Sequence, residues 1–216
     1  MLKNDVIISA AVRTPIGTLG KTLKNIPSQE LGAKAISEVI DRSQLKKKDI
    51  DEVILGQVLT GGTGQNPARQ ATIISGLPKE IPAHIVNQVC GSGLRSVASA
   101  FQSIKAGNSK IIVAGGQESM SLAPHAIYLR DGNKLGNTQI IDTLINDGLW
   151  DAFNDYHMGV TAENVAEKFT CIVCYDDYEE NNLFCCKNNH KICIECMKQN
   201  MNMNLKIRNT LAEIIG

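Results

Sequence analysis

The 216-residue sequence predicts an α/β layered domain, followed by a small zinc-knuckle module. Up to Phe169, short β-rich runs alternate with segments of helical spacing, a pattern typical of parallel strands joined by crossover helices. Six of the seven cysteines then lie between Cys171 and Cys196, at spacings typical of metal ligands. We therefore predict three parts: an α/β domain (1–119), a loosely patterned region (120–169) and a cysteine-rich module (170–216).

Four apolar runs predict the strands of the layered domain. They are DVIISAAV (5–12), DEVILGQVL (51–59), AHIVNQV (83–89) and KIIVAGG (110–116). Each run is apolar along most of its length, as expected for strands of a sheet that is covered on both faces.

Two amphipathic segments predict helices between these strands. The first is SQELGAKAISEVIDRS (28–43), with Ser28 placed to cap its start. The second is GLRSVASAFQSIKAG (93–107), which ends at Gly107. Its apolar residues Leu94, Val97, Ala98, Phe101 and Ile104 share one face, which we expect to be buried. Beyond residue 116, frequent turn signals predict a long irregular excursion that serves function or depends on a partner.

Composition excludes several classes of protein. The 22 basic and 22 acidic residues balance, so no overall charge attracts nucleic acid or an anionic membrane. No run approaches the roughly 18–20 apolar residues that span a bilayer. The N-terminus lacks the pattern of a secretory signal, and the clustered, odd-numbered cysteines favour a reducing compartment. We expect a cytoplasmic protein.

Cys90 is the candidate nucleophile. It lies between a β-rich run and a helix, where the first-turn amides and the positive end of the helix favour a thiolate. Gly91 and Gly93 leave room for a substrate to approach the backbone closely. Ser92 and free amides are suited to stabilising an oxyanion. The spacing alone leaves two interpretations open, a nucleophile or a buried structural cysteine.

Five segments resemble thiolases, and their details resemble the acetyl-CoA C-acetyltransferase branch, which forms acetoacetyl-CoA. These segments are RTPIGTLGKTL (13–23), GQVLTGGTGQNPARQATIISGLP (56–78), VNQVCGSGL (86–94), VAGGQESMS (113–121) and DGLWDAFNDYHMGVTAENVAEKF (147–169). The resemblance implies a thiolase-like N-terminal layered domain with the start of the family's loop region. It implies that Cys90 accepts the acyl group of a coenzyme A thioester. It also implies that His157 and Met158 line the pocket for the pantetheine arm and the acyl group.

The resemblance also implies partners. QNPARQA (65–71) and the irregular region match family regions used for subunit contact, so we expect a homo-oligomer or a chain supplying the missing half. In the family, a second half provides a Gly-His-Pro histidine, a Cys-x-Gly cysteine and an Asn-Glu pair. None of these motifs is present here, and no histidine of this sequence is followed by proline. We therefore predict an incomplete thiolase active site without useful turnover.

The cysteine-rich segment predicts a zinc site. Two Cys-x2-Cys pairs separated by eighteen residues provide the four thiolates of a tetrahedral ion; the alternative is a set of free or oxidised thiols. The order resembles a RING finger that lacks its last Cys-x2-Cys pair. The resemblance implies one site formed by Cys171, Cys174, Cys193 and Cys196, and half of a second formed by Cys186 (or Cys185) with His190.

The RING resemblance implies a ubiquitin-conjugating enzyme as partner, contacted by Ile172. The change from one pattern to the other falls inside TAENVAEKF (161–169), not in a Gly-, Pro- or Ser-rich linker. This position indicates a chimeric or truncated sequence.

Overall fold

The computed structural model describes residues 5–167, 183–185 and 191–193. The chain divides into two compact units, Met1–Gly148 and Leu149–Gly216. The first unit contains α1 (Ser28–Ser43), β1 (Glu52–Gly56), α2 (Pro67–Ile74), β2 (Ala83–Val86), α3 (Ser92–Lys105), β3 (Ile112–Gly116), β4 (His125–Ala126), β5 (Ile141–Asp142) and α4 (Thr143–Gly148). The second contains β6 (Trp150–Asp151), β7 (Tyr156–His157), α5 (Met158–Glu167), β8 (Leu183–Cys185) and β9 (Lys191–Cys193).

The first unit contains the central sheet and the helices of an α/β layered fold. Its central sheet has the order β2–β1–β3, and both strand pairs are parallel, with Val53 opposite Ala83 on one side and Val113 on the other. Because side chains alternate along a strand, Val53 and Leu55 face the core formed with α1 and α2. Gly56 faces α3, which packs on the other side of the sheet.

The strand predicted over residues 5–12 is not observed. This segment is described but pairs with no strand, and Ile7 and Ile8 are 65% and 79% exposed. Strand propensity measures how a residue fits a paired, half-buried surface, so an apolar run without a hydrogen-bonding neighbour stays outside the sheet.

The cap predicted at Ser28 is also wrong. Pro27 occupies the N-cap position, and Ser28 is the first helical residue with no capping hydrogen bond to the backbone. Ser28 is buried, and its hydroxyl donates to Oε1 of Gln29 at 3.3 Å. The fixed backbone angle of proline places the helix start one residue earlier than the capping preference of serine suggests.

α3 turns a different face to the sheet from the one we predicted. Its buried residues are Ser92, Ser96 and Ala100, whereas Leu94 is 78% exposed and Phe101 is 49% exposed. The cause is close packing: glycine at position 56 brings the backbone of the helix start against β1, where only small side chains fit. The large apolar side chains therefore form a second face, which points away from the sheet.

The chain after β3 contains only short elements before α5. Between β3 and α5, the described chain forms two-residue strand pairs, β4 with β5 and β6 with β7, and the six-residue helix α4. In the second unit, β8 and β9 form an antiparallel pair in which Leu183 lies opposite Cys193. Within the described residues, no helix has the length and apolar character needed to cross a membrane.

Candidate active site

Polar residues follow the three parallel strands directly, at the edge of the sheet where α/β proteins bind ligands. Gln57, Asn87 and Gln117 come immediately after β1, β2 and β3. The side-chain amide of Gln117 donates to Oε1 of Gln57 at 2.8 Å, and that of Gln57 donates to the carbonyl of Leu59 at 2.8 Å. Gln57 and Gln117 are buried, so these hydrogen bonds fix the ends of β1 and β3 relative to each other.

Glu118 strengthens the same connection. Its Oε2 accepts from the amides of Val58 at 2.8 Å and Leu59 at 3.3 Å. Burial raises the pKa of the Glu118 carboxyl, and the hydrogen bonds from these two amides act in the opposite direction. Gln57, Gln117 and Glu118 are not among the residues predicted for this edge. Gln117 and Glu118 follow the predicted strand 110–116, and that position could have indicated them, whereas Gln57 lies inside the predicted strand 51–59.

Cys90 lies in the tight turn between β2 and α3, at the same edge of the sheet. The Gly91 amide donates to the Gln88 carbonyl at 3.0 Å, and the Ser92 amide donates to the Val89 carbonyl at 3.1 Å. These two amides are therefore engaged within the turn, so the prediction of free amides for an oxyanion is wrong for Gly91 and Ser92. Cys90 itself is exposed, so the interpretation as a buried structural cysteine is wrong as well.

The hydroxyl of Ser92 is engaged in the same turn. It donates to the Val89 carbonyl at 2.6 Å and accepts from the Gln88 amide at 2.8 Å. Ser92 is buried at the first position of α3. The expectation that this hydroxyl stabilises an oxyanion directly is wrong, because it already donates its proton to the carbonyl of Val89.

His157 and Met158 lie together in the second unit, where β7 meets α5. Nδ1 of His157 accepts from the Gly159 amide at 2.9 Å, so in the neutral ring Nε2 carries the proton. Met158 is 42% exposed, and its sulfur lies 4.0 Å from the Thr161 hydroxyl. Cys90 belongs to the first unit, so the structure brings together only two of these three predicted residues within one unit.

The hairpin before His157 is held by one carboxylate. Oδ1 of Asp151 accepts from the amides of Phe153 at 2.9 Å and Asn154 at 3.0 Å, and Oδ2 accepts from the Asn154 side chain at 2.8 Å. These bonds, with the Asn154 side chain as the largest contribution, lower the pKa of Asp151. Trp150 donates to Asp155 at 3.0 Å across the hairpin, which orients the strand carrying His157.

Most of the predicted zinc ligands lie outside the described residues, namely Cys171, Cys174, Cys186, His190 and Cys196. Ile172 also lies outside them, and the remaining ligand, Cys193, is the last residue of β9. Among the described residues, no group of three or more His, Cys, Asp and Glu side chains is arranged to hold a metal ion.

Comparison with known proteins identifies the family. The thiolase N-terminal domain matches residues 6–172. An acetyl-CoA acetyltransferase from Paracoccus denitrificans is 58% identical over 164 residues, which cover 76% of this chain and 42% of that protein. A probable acetyl-CoA acetyltransferase from Escherichia coli strain K12 is 52% identical over 166 residues, again covering 76% of this chain and 42% of the relative.

A solved structure agrees with these sequence matches. The crystal structure of the Bacillus anthracis acetyl-CoA acetyltransferase superposes with a TM-score of 0.71 at 38% identity, covering 74% of this chain and 41% of that chain. The chain thus spans about two-fifths of the length of the relatives it matches. The match covers the layered domain, the Cys90 turn and the His157 hairpin, and the chain therefore belongs to the thiolase family through its N-terminal domain.

Proposed function

We propose that this chain carries the acyl-accepting part of an acetyl-CoA C-acetyltransferase. The Cys90 thiolate attacks the thioester carbonyl carbon of acetyl-CoA, the carbon–sulfur bond to the coenzyme breaks, and coenzyme A leaves after taking up a proton. The enolate of a second acetyl-CoA, formed by loss of a methyl proton, then attacks the acyl-cysteine. This step forms the carbon–carbon bond of acetoacetyl-CoA and releases the Cys90 thiolate.

One observation carries this proposal: in a chain of the thiolase family, Cys90 is exposed at a tight turn on the carboxyl edge of the parallel sheet. The start of α3 follows at once, and a helix N-terminus favours negative charge on a nearby sulfur. The names of the relatives, acetyl-CoA acetyltransferases, support acetyl-CoA as the substrate class.

We assign His157 and Met158 to substrate binding on the same family argument. With Nδ1 of His157 accepting from the Gly159 amide, Nε2 is the ring nitrogen left to donate to an amide carbonyl of a pantetheine arm. The thioether of Met158, partly exposed, suits contact with an acyl chain.

We further propose that the chain does not turn over substrate by itself. The histidine, second cysteine and Asn-Glu pair that the family uses belong to motifs absent from this sequence. General acid–base help is typically worth about 10²–10⁴-fold in rate. The exposure of Leu94 and Phe101 supports the proposal that α3 contacts a partner chain. This partner is either a second copy or a chain that supplies the missing half.

Acyl transfer to Cys90 tests the proposal. After incubation of the full chain with radiolabelled acetyl-CoA at millimolar concentration, we expect one acetyl group on the peptide containing Cys90. The Cys90→Ala variant should carry none there, because the acceptor sulfur is removed. The His157→Ala variant should need a higher acetyl-CoA concentration for half-maximal labelling. Absence of label on Cys90 at any substrate concentration would remove the enzymatic proposal.

We also propose that residues 170–216 bind zinc as an incomplete RING-like module, with a ubiquitin-conjugating enzyme as the partner contacted through Ile172. The support is the spacing of the two Cys-x2-Cys pairs, a strong pattern for four thiolate ligands. Thiolate ligands also suit a reducing, cytoplasm-like compartment. Whether Cys185 or Cys186 joins His190 is left open by the spacing.

Metal content tests the zinc proposal. The full chain, expressed with zinc and then dialysed, should retain about one zinc ion per chain, because binding is coupled to folding of such modules. Replacing both Cys171 and Cys174 with serine should remove the metal, whereas Cys90→Ser should leave it in place. Less than about half an ion per chain would argue against a zinc module. Autoubiquitination with a panel of conjugating enzymes, compared with Ile172→Ala, then tests the ligase alternative.

A further inference from the structure

The residue before Cys90 has a strained backbone. Val89 has φ of +47°, in the left-handed region that branched side chains avoid. Strain of this kind persists only where the surrounding structure over-determines it. Val89 is 50% exposed, so side-chain burial does not account for its conformation.

Hydrogen bonds from both sides of Val89 hold this conformation. The Ser92 hydroxyl donates to the Val89 carbonyl at 2.6 Å and accepts from the Gln88 amide at 2.8 Å. The Val89 amide donates to Oδ1 of Asn87 at 2.9 Å. One serine hydroxyl therefore closes a ring around the peptide groups that precede Cys90.

We propose that Ser92 is a positioning residue for Cys90. Its hydroxyl locks Val89 in the left-handed conformation, and this conformation presents the Cys90 sulfur on the exposed side of the turn. The importance of Cys90 rests on the proposed function, but the positioning itself is a statement about the turn. A positioning role predicts that the effect of removing the Ser92 hydroxyl on Cys90 depends on which residue stands at position 89.

A glycine substitution at position 89 separates positioning from general stability. Glycine adopts positive φ about as readily as negative φ, so the turn of the Val89→Gly variant needs less help from the serine hydroxyl. Ser96 offers a matched control for the loss of a buried hydroxyl. It lies one turn further along α3, is fully buried, and its hydroxyl lies 2.6 Å from the carbonyls of Gly93 and Gly115, away from the Cys90 turn.

The test measures alkylation of Cys90 by iodoacetamide in the full chain, with the Cys90 peptide resolved by mass spectrometry. We expect Ser92→Ala to lower the rate constant about tenfold, equivalent to about 1.4 kcal/mol. In the Val89→Gly background, Ser92→Ala should lower it less than about threefold. Ser96→Ala should leave the rate within about twofold of the wild type. Circular dichroism confirms that each variant is folded.

Two results would overturn the inference. One is a Ser92→Ala protein that is folded and keeps the wild-type alkylation rate. The other is an equal loss of rate in the wild-type and Val89→Gly backgrounds, since Ser92 would then act independently of the strained residue. If Ser92→Ala by itself does not fold, the alkylation rates of Val89→Gly and of the double variant are compared instead. A Val89→Gly protein that is less stable than the wild type would then contradict the inference, because glycine relieves strain at position 89. Acyl transfer is a separate readout: absence of acetyl label with the expected alkylation pattern contradicts the proposed function and supports the positioning.

Discussion

Replacing Gly56 with alanine is expected to lower the free energy of unfolding of the first unit by at least about 3 kcal/mol, the upper end of the usual cost of overpacking. A Cβ at this position would overlap the carbonyl carbon of Ser92 and lie 2.5 Å from the amide nitrogen of Gly93. Both atoms are backbone, so no side chain can rotate away. The start of α3 must move away from β1, and the Cys90 turn must move with it.

Gly115→Ala is the matched control for this prediction. Gly115 also lies in the sheet, one residue before the end of β3, but an added Cβ there meets nothing within 4 Å. We expect its free energy of unfolding to change by less than about 1 kcal/mol. Urea unfolding of both variants provides the comparison. A Gly56→Ala protein as stable as Gly115→Ala would show that α3 does not contact β1 as described.

Mixing this chain with the C-terminal part of a relative is expected to raise acetoacetyl-CoA formation at least about 100-fold, which is the low end of the gain from acid–base catalysis. The second chain would be the C-terminal remainder of the Paracoccus denitrificans acetyl-CoA acetyltransferase, of which this chain spans 42%. The thiolase resemblance assigns proton transfer to motifs of the family's second half, and we expect the remainder to supply them. The gain should be lost entirely when the first chain is Cys90→Ala.

The exposed face of α3 provides a structural control for the mixing experiment. We expect Leu94→Asp, which places a charge on a side chain now 78% exposed, to prevent the gain in activity because a partner would have to bury that charge. Lys34→Asp on the exposed side of α1 changes charge at a comparable helical position and should leave the gain unchanged. Activity that survives Leu94→Asp would place the partner elsewhere.

The spacing of apolar residues predicted the ranges of the helices and strands better than it predicted which face of each element is buried. Three of the four predicted strands form the sheet, because short apolar runs alternating with helical segments are typical of parallel strands. In α3, the spacing of Leu94 and Phe101 indicates a buried face, yet the sheet meets Ser92 and Ser96. The close approach of α3 to Gly56 determines which face is buried. This approach involves two segments that are distant in the sequence, so the pattern within one helix does not indicate it.

The site was predictable to a similar extent. Cys90 and its place at a strand–helix junction followed from the sequence, since the junction is a local pattern. The left-handed Val89 did not, because branched residues avoid positive φ and nothing local indicates the hydroxyl that holds it. The Glu118 contact with Val58 joins residues sixty positions apart, so it appears only in the folded chain.

The steady-state rate of acetoacetyl-CoA cleavage by the purified 216-residue chain tests the central claim most directly. The claim is that Cys90 accepts an acyl group but lacks, within this chain, the proton acceptor needed for repeated turnover. We predict a rate no higher than that of Cys90→Ala, together with acetyl label on Cys90 in the unmodified chain. A Cys90-dependent rate approaching that of an intact acetyl-CoA acetyltransferase would contradict the account.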